Sequence, residues 1–531
     1  MICEANVTDE MQSLRLRASE LLLREKWRDS ADVYSKLIDL CEAHRDCSDI
    51  QRSLCLAFSN RAEAFHKLRQ FDEAIEDCDR ALAIEGTHLK SLICKGKILL
   101  TLNNYSHALL CFHTALLNPQ SDVETLNSYV EKCRRLDYQS RTGVFDFNDW
   151  VVGGFRGESP DLGEYIGPVE VMRSGLSGRG LFATKDVEVG TFLIVTKAVA
   201  IERGILFEEE DEARLVMWRC FVSKIMEIAR KSKRVRDLIL CLSTGEEEET
   251  LKIPDIETFK NGVRETGIRE EVVDQKRILS ILNVNSLVED GVSAKVLGKN
   301  NNYYGVGLWL LPSLINHSCS PNARRLHIGD HVAVIASRDI KEGEEITFAY
   351  FDVLRPIQDR EEMGMSWGFS CSCNRCEFER IRVSNRDGKA DSISEEGRTE
   401  GIGVEIGYLR GSNRKCNSKG TKSKDEKADL MWQEREMEVI RIERRMREEK
   451  MRLRDRGYLR ASNWELYRKM YESEVENRKL PTVEAVAESL MEAVGSDERV
   501  MNVSIGRMRR NGEIERVLKL GRGIYGKSLK T

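Results

Sequence analysis

Three cysteines, Cys371, Cys373 and Cys376, fall within six residues as C-x-C-x2-C. Thiolates at that spacing can face one soft cation, but a closed tetrahedral zinc site takes four ligands, with sulfur at about 2.3 Å. The fourth has to come from elsewhere. Cys319 is the best remote candidate: the apolar run 305–315 ends just before it, and no thiol or imidazole follows Cys376 until Cys416. The alternative is a set of buried or free thiols. Asn316, His317 and Ser318 stand immediately before Cys319, and Pro321 and Asn322 just after, so polar groups crowd the end of a segment whose composition demands burial. Downstream, GEEITFAY (343–350) reads as a turn and a strand that ends on Tyr350.

Upstream, VEVMRSGLSGRGLFATKDVEVGTFLIV (169–195) carries a glycine turn at Gly178, Arg179 and Gly180. Glycine there either closes a tight turn or lets backbone approach a ligand. Tyr350 alone could be a half-buried strand tyrosine, and His317 alone a satisfied core histidine. Together, NHSCSPN, GEEITFAY, CSCNRC and the glycine-turn segment, in that order, resemble the SET-domain lysine methyltransferases, specifically the SET/MYND branch.

The resemblance implies one structural Zn2+ ion on Cys319, Cys371, Cys373 and Cys376. It implies S-adenosyl-L-methionine held by side-chain and main-chain hydrogen bonds of Asn316 and His317, by backbone at Gly178, Arg179 and Gly180, and by Phe369 stacked on the adenine. Zinc would pin the C-terminal segment so that Phe369 closes over the donor. Tyr350 is the expected catalytic tyrosine, and a pseudoknot around NHSC is expected from the same resemblance. The implied reaction is protein-lysine N-methylation, on a histone or another protein. Such a site must present a neutral amine, although free lysine has a pKa near about 10.4, so desolvation and alignment are the work it has to do.

These motifs need elements to position them. Residues 168–376 are expected to form a mostly β SET domain with a helical insertion at about 201–300, where apolar residues recur at helical spacing. A SET/MYND chain would carry a cysteine- and histidine-rich finger here, but the interval holds only Cys220 and Cys241 and no histidine, so that finger is absent. Residues 12–120 repeat on a 34-residue period: Ala62, Phe71, Ala74 and Ala81 reappear as Gly96, Tyr105, Ala108 and Ala115. An earlier copy, Ala18, Trp27 and Ser30, is displaced by 44, so a longer helix or loop near residues 44–51 must absorb ten residues. The pattern resembles the tetratricopeptide repeat, which implies a concave groove for a peptide or protein partner. Otherwise the helices serve only as a scaffold.

Residues 121–167 read as a linker, with Trp150 and Phe155 available to dock on a neighbour. Residues 377–428 read as flexible, from low hydrophobicity and mixed charge, and 429–531 as a loosely organised helical region with a locally basic end. The expected fold class is therefore α+β: helical repeats, a mostly β SET domain with a zinc-bound post-SET segment, and a helical C-terminal region. Formal net charge is -5 across 531 residues, so no whole-chain charge draws it to nucleic acid or membrane. No apolar run approaches membrane-spanning length. Scattered single cysteines suit a reducing compartment, and the expected setting is intracellular, nucleus or cytoplasm. The rival function is a repeat adaptor whose SET domain keeps its fold with little turnover.

Overall fold

The structure, a computed structural model, describes residues 2–44, 48–145, 161–205, 211–245, 251–260, 274–289, 303–390, 424–472, 480–495, 500 and 526. The chain opens on helices α1 (Ile2–Leu23), α2 (Trp27–Glu42), α3 (Ser48–Lys67), α4 (Phe71–Ile84), α5 (Leu89–Thr101) and α6 (Tyr105–Leu116), which pack as three successive hairpins. Ala18, Ala62, Ala74, Ala81, Ala108 and Ala115 are completely buried, as residues must be where helices touch. A Cβ on Gly96 would stand 2.8 Å from the Phe112 ring, so only glycine fits there. Each hairpin turns on a residue of positive φ, Glu25 (58°), Arg69 (60°) and Asn103 (58°), which repeat at the same two offsets as the alanines. The extra ten residues go mainly into α3, which begins about two turns earlier relative to Ala62 than α5 does relative to Gly96.

The expected linker begins instead with a 20-residue helix, α7 (Val123–Thr142). Asp122 caps it by accepting from the Thr125 amide, Leu126, Val130, Cys133 and Leu136 are buried at helical spacing, and Gly143 closes it at φ 65°. These signals are present in the sequence; the glycines and proline after residue 150 mask them when the whole stretch is averaged. Trp150 and Phe155 lie outside the described residues. Phe145 makes the docking contact, buried among Leu162, Phe192, Val195 and Leu326. The Gly163 amide donates to Gln139 Oε1 (2.9 Å) and the Glu164 amide to the Tyr105 hydroxyl (3.2 Å), tying repeats to sheet.

The central domain is built of small sheets. One orders β1 (Tyr165–Ile166), β4 (Phe192–Lys197), β10 (His331–Ala336) and β9 (Ala323–Ile328). A second orders β2 (Val169–Arg173), β3 (Arg179–Ala183), β11 (Glu345–Phe348) and β8 (Asn316–His317). A third orders β5 (Ala200–Ile205), β7 (Tyr303–Leu308) and β6 (Leu287–Val288). The helical insertion is there as α8 (Asp211–Lys231), α9 (Lys233–Leu240) and α10 (Gln275–Asn285). Its Phe221, Ile225, Ile278 and Ile281 share one core with Leu181, Leu308, Trp309 and Ile346.

Beyond the sheets come α11 (Ile357–Ser366), α12 (Asn374–Ala390), α13 (Lys424–Glu448), α14 (Leu453–Ser462), α15 (Trp464–Glu472) and α16 (Val483–Val494). The segment expected to be flexible from residue 377 is thus helical as far as Ala390, and residues 391–423 lie outside the described residues. Within the helical region expected over 429–531, the chain breaks between α13 and α14 at Lys450, whose φ is 48°. Nor are the described residues of the C-terminal region loosely packed. Tyr458, Trp464, Tyr467, Val486 and Leu490 form a core that takes in Val353 and Leu354 from the segment after β11. The basic terminal stretch falls almost wholly outside the described residues.

Candidate active site and thiolate centre

Tyr350 follows β11, and β8 runs parallel to β11 with Asn316 opposite Thr347 and His317 opposite Phe348. This pairing draws the NHSC and tyrosine motifs together although the β9–β10 hairpin separates them in sequence. The Tyr350 hydroxyl donates to the Ile315 carbonyl (2.9 Å), and its backbone amide donates to His317 Nδ1 (3.0 Å). Since Nδ1 accepts, the ring proton of His317 sits on Nε2, which lies 3.2 Å from Cys319 Sγ and donates to it. One buried imidazole therefore spans from the tyrosine backbone to the cysteine cluster. Its ring also lies 5.2 Å from that of Phe369, which runs nearly parallel to Phe351 at 6.3 Å.

Asn316 is turned toward the protein. Its Nδ2 shares two protons among Glu345 Oε1 (2.7 Å), the Arg179 carbonyl (3.1 Å) and the Ser177 carbonyl (3.1 Å). Ser174 Oγ holds the same carboxylate at 2.9 and 2.8 Å. The glycine turn is shaped to this knot: Gly178 has φ 46°, and a Cβ on Gly180 would stand 2.3 Å from Glu345 Oε1. The Arg179 side chain leaves the turn altogether, donating from Nη1 to the Lys252 carbonyl (2.9 Å). Glu345 and Ser174 are the residues sequence reasoning missed; a second acidic residue in GEEITFAY was the available signal.

Cys319, Cys371, Cys373 and Cys376 do converge, with all four sulfurs within 4.8 Å of one another. Hydrogen bonds among the sulfurs divide their protons. Cys371 is held well below the usual thiol value and Cys373 is lowered to about 6, both chiefly by Cys319. Cys319 and Cys376 are pushed up, chiefly by Cys371 and Cys319 respectively. Four thiols this close cannot all ionise beside one another, whereas a divalent cation lets them. The donor set and spacing fit tetrahedral zinc.

The cluster is backed by charge. Arg360 is buried and donates from Nη1 to Cys376 Sγ (3.2 Å) while its Nη2 pairs with Glu379 Oε2. Arg375, fully buried, donates from Nε to Glu379 Oε1 (2.7 Å) and from Nη1 to the carbonyls of Cys319 (3.3 Å) and Val353 (2.5 Å). These guanidiniums offset thiolate charge and fix the loop that carries Cys319.

On the other side of Tyr350 a pocket opens between Val284, Leu287, Pro312, Ile315, Phe348 and Trp367. Arg325 is in its wall, its guanidinium 5.3 Å from the centre of the Phe348 ring. Among the described residues, none of those lining it is a carboxylate. The Trp367 ring, partly exposed, stands 5.5 Å from that of Tyr350.

Residues 178–351 match the family model of the SET domain, spanning the glycine turn, NHSC and Tyr350, and residues 55–88 match that of the tetratricopeptide repeat. The central domain is a SET domain. It is joined to an N-terminal repeat stack in one chain. A protein of Gibberella zeae named "Methyltransferase" is 27% identical over 392 residues, covering 69% of this chain and 52% of its own. "Histone-lysine N-methyltransferase SET5" of Eremothecium gossypii is 34% identical over 130 residues, 24% of this chain and 25% of that protein. "Histone-lysine N-methyltransferase SMYD3" of Homo sapiens is 42% identical over 74 residues, 14% of this chain and 17% of that protein. The chain thus spans about half the length of the first of these relatives and a quarter or less of the others.

Proposed function

We propose that this SET domain is an S-adenosylmethionine-dependent protein-lysine N-methyltransferase. The observation that carries the reading is Tyr350, fixed at its hydroxyl by Ile315 and at its amide by His317, on the wall of a pocket whose described lining is mainly apolar. When bound, the donor supplies an electrophilic methyl group. With the Asn316 and His317 side chains committed to the protein, the surfaces left to hold it are the main chain at 316–317, the turn at Gly175 and Gly178, and the Phe369 ring. A Cβ on Gly175 would meet nothing within 4 Å, so that turn is open to a ligand.

The acceptor pocket acts on the amine before any transfer. Apolar walls disfavour an ammonium through desolvation, and Arg325 disfavours it through charge. Both lower the lysine pKa toward the neutral form that has a lone pair to give. The Tyr350 hydroxyl, fixed by its bond to Ile315, sets the position of the amine and of polarised C–H groups beside it. We assign the acceptor as a lysine on a histone or another protein, the repeats as a groove for a peptide or protein partner, and the setting as intracellular, nucleus or cytoplasm. Repeat geometry and the buried single thiols support the last two assignments.

Calorimetric titration with S-adenosylmethionine tests the donor site, with zinc assayed in the same samples. Saturable binding by the unmodified chain, weakened in Phe369→Ala without loss of zinc, supports it. Methyl transfer to core histones and to other lysine-bearing proteins then tests the acceptor, with Tyr350→Phe as control. A folded, zinc-loaded chain that binds no donor would overturn the enzyme reading and favour a repeat adaptor.

A further inference from the structure

We propose a second metal site, for one zinc-like transition-metal ion, between the second and third helical repeats, with Cys55, Glu85 and His88 as ligands. One ligand atom from each lies within 4.8 Å of the other two. The three are far from the post-SET cysteines in sequence and come from separate elements: Cys55 inside α3, Glu85 at the C-cap of α4, and His88 at the N-cap of α5. Thiolate, carboxylate and imidazole together are a donor set for zinc or a neighbouring transition ion, since calcium and magnesium take oxygen. Bonds of about 2.0–2.3 Å require the ligand atoms to close in further. Glu85 is exposed and has room to do so.

The surroundings supply what a metal-bound histidine needs. His88 Nδ1 lies 2.9 Å from Oγ of the buried Ser91 and 3.4 Å from the Ser91 amide. As the N-cap of α5, His88 accepts there from the Ser91 amide; an ion taking Nε2 shifts the ring to the Nδ1–H tautomer, which gives up that long bond and donates instead to Oγ, orienting the ring. Cys55 Sγ is buried, with its proton given weakly to the Ala81 carbonyl at 3.5 Å. Burial, and then the Glu85 charge, push this thiol up to about 11, so the ion must displace a proton, and binding releases it to solvent. Three protein ligands leave a fourth position for water. The bound ion would staple α3 to the α4–α5 turn and so fix the angle between adjacent repeats.

The test uses the full chain, equilibrated with zinc and freed of excess, and counts zinc by plasma mass spectrometry. Two ions per chain are expected, falling to one in Cys55→Ser and in His88→Ala, with helical circular dichroism unchanged. Cys373→Ser should lose the other ion and keep this one. Titration of the apo chain with cobalt alone gives a second readout: a thiolate-to-cobalt charge-transfer band that remains in Cys373→Ser and disappears in Cys55→Ser/Cys373→Ser. If the unmodified chain binds one zinc that both Cys55→Ser and His88→Ala retain, or if the cobalt band survives in the double variant, the site is excluded.

Discussion

Tyr350 is held at both polar ends, and the two attachments predict different failures. Tyr350→Phe removes only the hydroxyl on Ile315. Methyl transfer should fall by about 100-fold through loss of alignment, while calorimetric donor affinity and melting temperature stay close to those of the unmodified chain. His317→Ala strips the acceptor from the half-buried Tyr350 amide and the donor from Cys319 together. Each unmet group costs about 1–3 kcal/mol, so that variant should melt lower and lose transfer, whereas Tyr350→Phe loses transfer alone. Equal melting temperatures in the two variants would show that His317 does not bridge the tyrosine and the cysteines. His317 was legible as a candidate because it lies in NHSC, yet its inward commitment was not. That depends on β8 pairing with β11 across the intervening hairpin, which no local pattern encodes.

At the scale of elements, the glycine turn, β8 and β11 are locked by one carboxylate. In Gly180→Ala the new Cβ would meet Glu345 Oε1 at 2.3 Å, so the carboxylate must leave Ser174 and Asn316. Overpacking of this kind costs about 1–3 kcal/mol. Adding Glu345→Ala removes the clash, so the double variant should be more stable than the two single losses summed, by about 0.5–3 kcal/mol in urea unfolding. Strict additivity would mean that Glu345 had already moved aside. The spacing of NHSC, GEEITFAY and the cysteines was readable because it is local and repeats a known order. Gly180's reason was not, because a glycine that clears a carboxylate looks in sequence like one that merely turns the chain.

The strand β10 makes a separate prediction about pH. His331 at its start is buried, and that burial, with Lys197 next in effect, holds its imidazole down to about 4. The unfolded chain, with a value near about 6.5, binds the proton first. This contribution to stability is therefore complete above about pH 6.5 and is lost as pH falls toward 4, by up to about 1.4 kcal/mol per pH unit. Urea midpoints measured across that range should fall more steeply in the unmodified chain than in His331→Gln; matching slopes would acquit His331.

On the scale of the whole molecule, the C-terminal helices are bonded into the cysteine centre. Arg375 Nη2 donates to Ser462 Oγ (3.0 Å), Ser462 Oγ donates to Glu379 Oε1 (2.9 Å), and Ser320 Oγ donates to the Ala493 carbonyl (2.6 Å). These bonds join α14 and α16 to the loop of Cys319, while Val353 and Leu354 are buried in the C-terminal core. Sequence gave little warning: charge-balanced helices read as solvated when the partner face is contributed by residues a hundred positions away. Two changes separate the helices' packing from their charge network. Glu379→Ala in the full chain leaves the Arg360 and Arg375 guanidiniums buried without their carboxylate, at a cost of about 3–5 kcal/mol, and should lower zinc occupancy with the C-terminal core still present. Ending the chain after residue 423 exposes Val353 and Leu354 and removes Ala493 from Ser320 and Ser462 from Arg375 and Glu379, so it should yield a chain that aggregates or loses both zinc and donor binding. A truncated chain that stays soluble, keeps its zinc and binds donor normally would make the C-terminal helices an appendage, and would leave Arg360, Arg375 and Glu379 sufficient by themselves to hold the cysteine centre.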